Sequence, residues 1–106
     1  MKPFQIGIDA NGNPSFAIPF SDHIDVQALD ARVAKTVTIP ADARFVIFSS
    51  TGDFYCRVDG EASLPMADVV DGTGSELNPT IRYIIGVATV SLISPVKCIV
   101  TMTYYK

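Results

Sequence analysis

The chain has 106 residues, which is enough for one domain and too few for two. A hydrophobic share of 48% excludes intrinsic disorder, and no apolar run approaches the ~18 residues that a membrane helix needs. Eight basic against eleven acidic residues give a net charge of −3, which argues against a surface for nucleic acid or for an anionic membrane. The segment after Met1 is not apolar, so we expect no secretory signal.

The composition favours β-structure and a partner. Val, Ile and Thr together supply 30 of the 106 residues, whereas Leu occurs only 4 times, and β-branched side chains suit a pleated sheet better than a helix. Charged residues make up 18% of the chain, against about 25% in an average domain. We therefore expect part of the weakly charged exterior to be covered by another protein.

The first twenty residues predict an arm or hairpin that makes contacts. Phe4, Ile6 and Ile8 alternate with polar or small residues, as in a half-buried strand. Asn11-Gly12 then supplies turn chemistry, and residues 16–20 are predicted to return as an edge strand.

Two interpretations are open for residues 22–32. Ile24, Val26 and Ala28 alternate with polar residues and indicate a strand, which the composition of the chain favours. Ile24, Ala28 and Leu29 also lie at near-helical spacing, with a serine before them that would cap a helix.

Three further strands are predicted up to residue 58. Residues 33–39 alternate clearly, and residues 44–49 contain a run that is apolar on both faces, as expected of a central strand covered from both sides. Residues 51–53 form a tight connection to a strand over 54–58, so these two strands are predicted to pair as a hairpin.

Residues 59–80 form the longest irregular segment, which is typical of a functional or contact loop. Strands are then predicted over 81–85, 87–93 and 97–105. The total of seven to nine short strands indicates an all-β fold, an antiparallel β-sandwich of jelly-roll type, forming a single domain over residues 1–106.

No catalytic, metal or cofactor site is predicted. His23 is the only histidine and lies beside Asp22 and Asp25, but a zinc site would need further ligands and a strand would turn neighbouring side chains apart. The carboxylates within residues 68–76 do not have the spacing of an EF-hand loop, so we interpret them as an acidic turn. We expect a protein that is not an enzyme.

The cysteines and the aromatic residues have structural interpretations. Cys56 and Cys98 both fall on apolar strand faces and are expected to be buried thiols, with a disulfide between them as the alternative. Aromatic pairs at 54–55 and 104–105 suit either a sugar-binding platform or a protein interface. Because the chain has no Trp, we favour the interface.

Several segments carry a resemblance to a known group. The runs over residues 36–49 and 52–58, with Gly74-Ser75-Glu76-Leu77-Asn78-Pro79 and the final Tyr104-Tyr105-Lys106, resemble small virion structural proteins of tailed bacteriophages, of the capsid decoration (cement) type. The resemblance implies a jelly-roll fold and assembly as a dimer or trimer. It also implies the major capsid protein as partner, and a location on the capsid exterior after synthesis in the bacterial host cytoplasm.

From the residues and the resemblance together, we expect a decoration protein that binds and stabilises the capsid surface. The alternatives are a tail or head–tail component and a carbohydrate-binding sandwich module. The residues expected at the interface are apolar or aromatic and lie near the ends of the chain or in the long loop: Phe4, Ile6, Phe16, Phe20, Leu77, Tyr104 and Tyr105.

Overall fold

Eight β-strands form the computed structural model, which describes all 106 residues. No segment folds into a helix of the length and apolar character needed to span a bilayer. The strands are β1 (Ile24–Leu29), β2 (Lys35–Thr38), β3 (Phe45–Ser50), β4 (Tyr55–Arg57), β5 (Glu76–Leu77), β6 (Ile81–Tyr83), β7 (Thr89–Ile93) and β8 (Cys98–Tyr105).

The strands pair in a nested order. β1 pairs with β8, β2 with β7, β3 with β6 and β4 with β5, all antiparallel. This eight-stranded ribbon rolls into a front sheet of order β1-β8-β3-β6 and a back sheet of order β2-β7-β4-β5, which is the topology of a jelly roll. The predicted antiparallel β-sandwich is confirmed, and the strand interpretation of residues 22–32 is correct.

The core lies between the inward faces of the two sheets. The side chains on these faces alternate with outward ones along each strand, as the period of two requires. The front sheet contributes Val46, Phe48, Cys98, Val100, Met102 and Tyr104, and the back sheet contributes Val37, Cys56, Val90 and Leu92. Phe54, just before β4, fills the space against Phe48 with ring centroids 5.8 Å apart.

Both cysteines are buried free thiols, as expected, and no disulfide joins them. Burial, with a smaller effect of the Glu76 carboxylate, raises the pKa of Cys56 to about 11. The Cys56 thiol therefore stays protonated at neutral pH and acts as a small apolar side chain in the core.

The predicted hairpin over residues 44–58 is wrong. β3 belongs to the front sheet and β4 to the back sheet, so the connection at residues 51–53 crosses the sandwich. This crossing is held from the back sheet, because the Ser94 hydroxyl donates a hydrogen bond to the Asp53 carbonyl at 2.8 Å.

The two strands predicted in the first twenty residues are also absent. Only an isolated bridge between Ile8 and Pro14 forms there. The prolines and glycine of this segment limit the hydrogen bonds that a regular ladder needs. The irregular segment over 59–80 is present as predicted, except that its end contributes the two-residue strand β5.

Candidate interaction surface

The N-terminal segment is fastened to the front sheet at its base. The Phe4 ring stacks on Phe45 with centroids 4.6 Å apart and meets Tyr105 edge-on at 5.6 Å. The Phe4 N–H donates to the Lys106 carbonyl at 2.9 Å, and the Tyr105 hydroxyl donates to the Pro19 carbonyl at 2.7 Å. These contacts hold both ends of the segment that we call the arm, residues 5–20.

Between these two ends the arm stands apart from the rest of the protein. All hydrogen bonds of residues 5–18 stay within the segment, including Gly7 N–H to Ala17 carbonyl at 2.7 Å and Asp9 N–H to Asn13 carbonyl at 2.8 Å. Gly12 makes the turn at the tip with φ +81°, a conformation that glycine adopts without strain. The arm is therefore a small hairpin-like projection without a sheet of its own.

The dimensions of the molecule reflect this projection. The radius of gyration is 15.4 Å, against about 13 Å for a compact domain of this length. The accessible surface is 6733 Å², whereas a typical monomer of this mass exposes about 5,800 Å². The chain thus exposes close to a thousand square ångströms more than an ordinary monomer.

The two legs of the arm expose large apolar side chains, whereas its turn exposes polar ones. The side chains of Phe16 and Phe20 are 106% and 91% exposed, and Ile8 and Ile6 are 63% and 45% exposed. Asp9 is the only charged residue of the arm. Exposure of two phenylalanine side chains to water is unfavourable, because their apolar area is not buried against the chain's own core.

β1 adds a second apolar surface, because its apolar side points outward. Ile24 and Val26 are 52% and 61% exposed, whereas Asp25 and Leu29 lie opposite Met102 and Cys98, which face the core. Alternation of this kind usually places the apolar residues inside. Here the strand presents its apolar side to the exterior of the front sheet.

The outward side chains of the other three strands continue this surface, which we call the outer face. Strand register places these side chains side by side, and none of them is charged. The outer face consists of Ile24, Val26, Ala28, Phe45, Ile47, Ser49, Ile81, Tyr83, Ile99, Thr101, Thr103 and Tyr105. Phe4 covers one end of it, and the rest is open to solvent.

The polar residues around His23 lie at the start of β1 and make contacts within the protein. The His23 ring meets Tyr104 edge-on at 5.5 Å, and its Nε2 lies 3.9 Å from the Asp25 carboxylate. Burial, and then the negative charge of Asp25, raise the pKa of the Tyr104 phenol. Asp22 instead accepts a hydrogen bond from the Lys2 N–H at 3.0 Å. No group of three potential ligands that could hold a metal ion is present.

The residues expected at an interface divide into three sets. Ile6, Phe16 and Phe20 lie exposed on the arm, and Leu77 is 49% exposed on β5 at the edge of the back sheet. Phe4 is partly buried and anchors the arm within its own chain.

Tyr104 and Tyr105 require a correction. They are 0% and 4% exposed, so they offer almost no surface to a partner. Both belong to β8, which is flanked by β1 and β3, and their rings pack within the protein. Apart from Tyr105, which Phe4 covers, the side chains of the outer face, Val26 and Ile99 among them, are not among the residues that the sequence predicts at an interface.

A cleft of about 390 Å³ opens between the edge strands β5 and β6. The Arg82 guanidinium crosses it, donating from Nε to the Glu76 carboxylate at 3.0 Å. Tyr83 stands at the rim, and Arg57, Asp59 and apolar core side chains line the remainder. The arginine is already paired, so the cleft presents a mixed, largely neutralised polar surface.

The loop over residues 59–80 is anchored at one point and exposed elsewhere. Ala62 is buried, and its N–H donates to the Ser91 hydroxyl at 2.9 Å. Met66 and Val70 are 87% and 93% exposed. The loop therefore exposes apolar side chains of its own, in addition to those of the arm.

Comparisons of the chain with protein-family models, curated proteins and solved structures found no match.

Proposed function

We propose that this protein is a non-enzymatic structural subunit of a tailed-bacteriophage virion, which binds the capsid surface and stabilises it as a decoration protein. The observation that carries the proposal is the set of exposed apolar side chains on the arm, which has a single charged residue, and on the outer face, which has none. The major capsid protein and sister copies are the proposed partners, on the outside of the shell.

The size of the exposed surface supports binding to protein. A complete aromatic side chain buries about 200 Å², so docking Phe16 and Phe20 removes about 400 Å² from water, with a gross gain of about 10 kcal/mol. Association costs consume a large part of this gain. When several linked copies bind a symmetric shell together, avidity strengthens the overall binding without new contacts.

The geometry of the only histidine supports a role without catalysis. His23 packs against Tyr104 and Asp25 beside β1, and not in the cleft between β5 and β6. Jelly rolls serve in viral capsids as well as in lectins, so the fold alone does not choose between these classes.

The cleft favours one alternative, a carbohydrate-binding module. Tyr83 is 62% exposed at its rim, next to Arg82, Glu76 and Asp59. An aromatic ring beside polar groups is a suitable platform for a sugar. Binding on a glycan array that Tyr83→Ala abolishes would support this alternative, whereas silence on the array would dismiss it. A tail or head–tail component would use the same arm and outer face.

Co-sedimentation with empty capsids of the tailed phage that encodes this chain tests the proposal. We expect saturable binding, weakened at least about tenfold by Phe16→Ser with Phe20→Ser, since two hot-spot aromatics are removed. Val96→Ser is the matched control, because Val96 is 57% exposed but lies in the connection between β7 and β8. It should leave binding unchanged.

Circular dichroism confirms that the variants are folded. Failure of the wild-type protein to sediment with capsids would overturn the proposal. A loss of binding equal in the Val96 control and in the double variant would show that the arm is not the surface responsible. Sedimentation with isolated tails but not with capsids would favour the tail component.

A further inference from the structure

We propose that the arm of one copy packs against the outer face of a second copy of this chain. The inference deepens the proposed function, and rests on it, by naming what the arm contacts within the assembly. It follows from the charge, the dimensions and the area of the two surfaces.

The two surfaces match in chemistry. The arm carries one charge, at Asp9, and the outer face carries none. An uncharged apolar surface is matched best by another such surface, because a charged one would lose its hydration without gaining an ion pair. The outer face is such a surface, and every copy of the chain provides it next to its own arm.

The two surfaces also match in length. The first leg of the arm, residues 5–9, ends at the turn over residues 10–12, and five extended residues span at most about 17 Å. The part of the outer face that Phe4 leaves open follows β8 from Ile99 to Thr103, five residues and about 17 Å. An arm with two legs therefore lies along the face without exceeding it.

Apart from the hydrogen bond from Tyr105 to Pro19 at its base, the arm makes no hydrogen bond to the outer face of its own chain. Its hydrogen bonds remain internal between residues 5 and 18, and Phe16 is fully exposed. Phe4 fixes the base of the arm at the Phe45 end of the face, where it departs from the sheet. The open part of the face, around Val26 and Ile99, is thus left for a neighbour.

The exposed area is sufficient for a stable contact. Four arm side chains (Ile6, Ile8, Phe16 and Phe20) and five outer-face side chains (Ile24, Val26, Ile81, Tyr83 and Ile99) are at least 44% exposed. Together they expose about 1,000 Å², taking about 200 Å² for a whole aromatic side chain and somewhat less for an aliphatic one. A standard interface needs about 800 Å² per partner. Reciprocal exchange of arms between two copies closes the contact with two-fold symmetry.

Disulfide trapping in the absence of capsids tests the contact directly. Phe16→Cys and Val26→Cys proteins are mixed under mild oxidation, and the cross-linked product is identified by mass spectrometry. The native cysteines are buried, so the wild-type protein is the blank. We expect the mixed 16–26 product to exceed severalfold that from Phe16→Cys mixed with Val96→Cys, whose position is equally accessible but off the face.

Light scattering after size exclusion gives an independent measure. We expect the wild-type mass to be two or three times 11.4 kDa, and Val26→Lys to give 11.4 kDa because its charge cannot be buried against the arm. A wild-type protein that is monomeric at every concentration would overturn the inference. So would a 16–26 yield no higher than the 16–96 yield.

These outcomes are distinguishable from failure of the proposed function. A monomer that still binds capsids through Phe16 and Phe20 would retain the decoration role and overturn the exchange between copies. An arm-exchanged oligomer that ignores capsids would retain the exchange and overturn the decoration role.

Discussion

Phe4 and Phe16 lie on the same N-terminal segment but should differ strongly in their effect on stability. The Phe4 ring has two aromatic partners, Phe45 at 4.6 Å and Tyr105 at 5.6 Å, and each such pair is worth about 0.5–1.5 kcal/mol beyond burial. Truncating a fully buried phenylalanine costs about 3–5 kcal/mol. Phe4 is only partly buried, so we expect Phe4→Ala to lower the free energy of unfolding by about 2–3 kcal/mol.

Phe16→Ala should change the free energy of unfolding of the isolated chain by less than about 0.5 kcal/mol, because the side chain is 106% exposed. The contrast amounts to a difference in melting temperature of about 10 °C for a domain of this size. Phe20→Ala, at 91% exposure, is the matched control and should behave like Phe16→Ala.

Urea denaturation followed by circular dichroism measures both variants. The titration is repeated over a series of protein concentrations, because contacts between copies add a concentration-dependent stabilisation that Phe16→Ala would remove. An equal loss for Phe4→Ala and Phe16→Ala at the lowest concentration would refute the reasoning, since the arm would then pack on its own chain.

Three further predictions concern the body of the sandwich. The free energy of unfolding should fall by up to about 2–3 kcal/mol as pH rises from 9 to about 11. Folding raises the pKa of the Cys56 thiol from 9.0 to about 11, so the thiol of the unfolded chain loses its proton first. Thermal melts across this range should show a shallower decline for Cys56→Ala. Ser94→Ala should cost about 1–2 kcal/mol in urea titrations, since it leaves a backbone carbonyl at the sheet crossing without its buried donor; the exposed Ser50→Ala should cost less than half as much. Gly86→Ala should lower the free energy of unfolding by about 1 kcal/mol, because Gly86 has φ +84° and open space around it, so that only backbone strain opposes the new side chain. The melting curve of this variant should shift without loss of secondary structure.

The strand β1 shows what hydrophobic periodicity predicts and what it leaves open. The alternation of Ile24, Val26 and Ala28 correctly indicates a strand. It does not indicate which side of the strand is covered by its own chain. That choice depends on β8, which aligns Asp25 with the core-facing Met102, and β8 lies at the far end of the sequence.

The connections were harder to predict than the strands. Two short apolar segments around residues 51–53 look the same whether the chain turns back within one sheet or crosses to the other. The nested pairing of β3 with β6 and of β4 with β5 decides between them, and these contacts are distant in sequence. The fold class follows from local patterns, whereas the crossing follows from long-range pairing.

The candidate surface was predicted in part for a similar reason. Low charge in the first twenty residues selects Phe16 and Phe20, which are exposed in the structure, and their contact with a partner stays a prediction. The same preference of aromatic residues for interfaces also selects Tyr104 and Tyr105, which are buried because Tyr104 faces the core and Phe4 covers Tyr105. Composition indicates that a tyrosine is useful at contacts, but its side of the strand and the packing of the N-terminal segment decide whether it reaches the exterior.

Amide hydrogen exchange, measured by mass spectrometry on the free chain and on the chain bound to capsids, tests the central claim most directly. In the free chain, diluted until it is monomeric, the hydrogen bonds of residues 5–18 are local and most of these residues are exposed, so the segment should exchange rapidly. On assembly, we expect protection of these residues and of β1, whose outward side chains become covered. An arm that exchanges as fast on the capsid as in solution, with protection confined to the cleft between β5 and β6, would contradict the account.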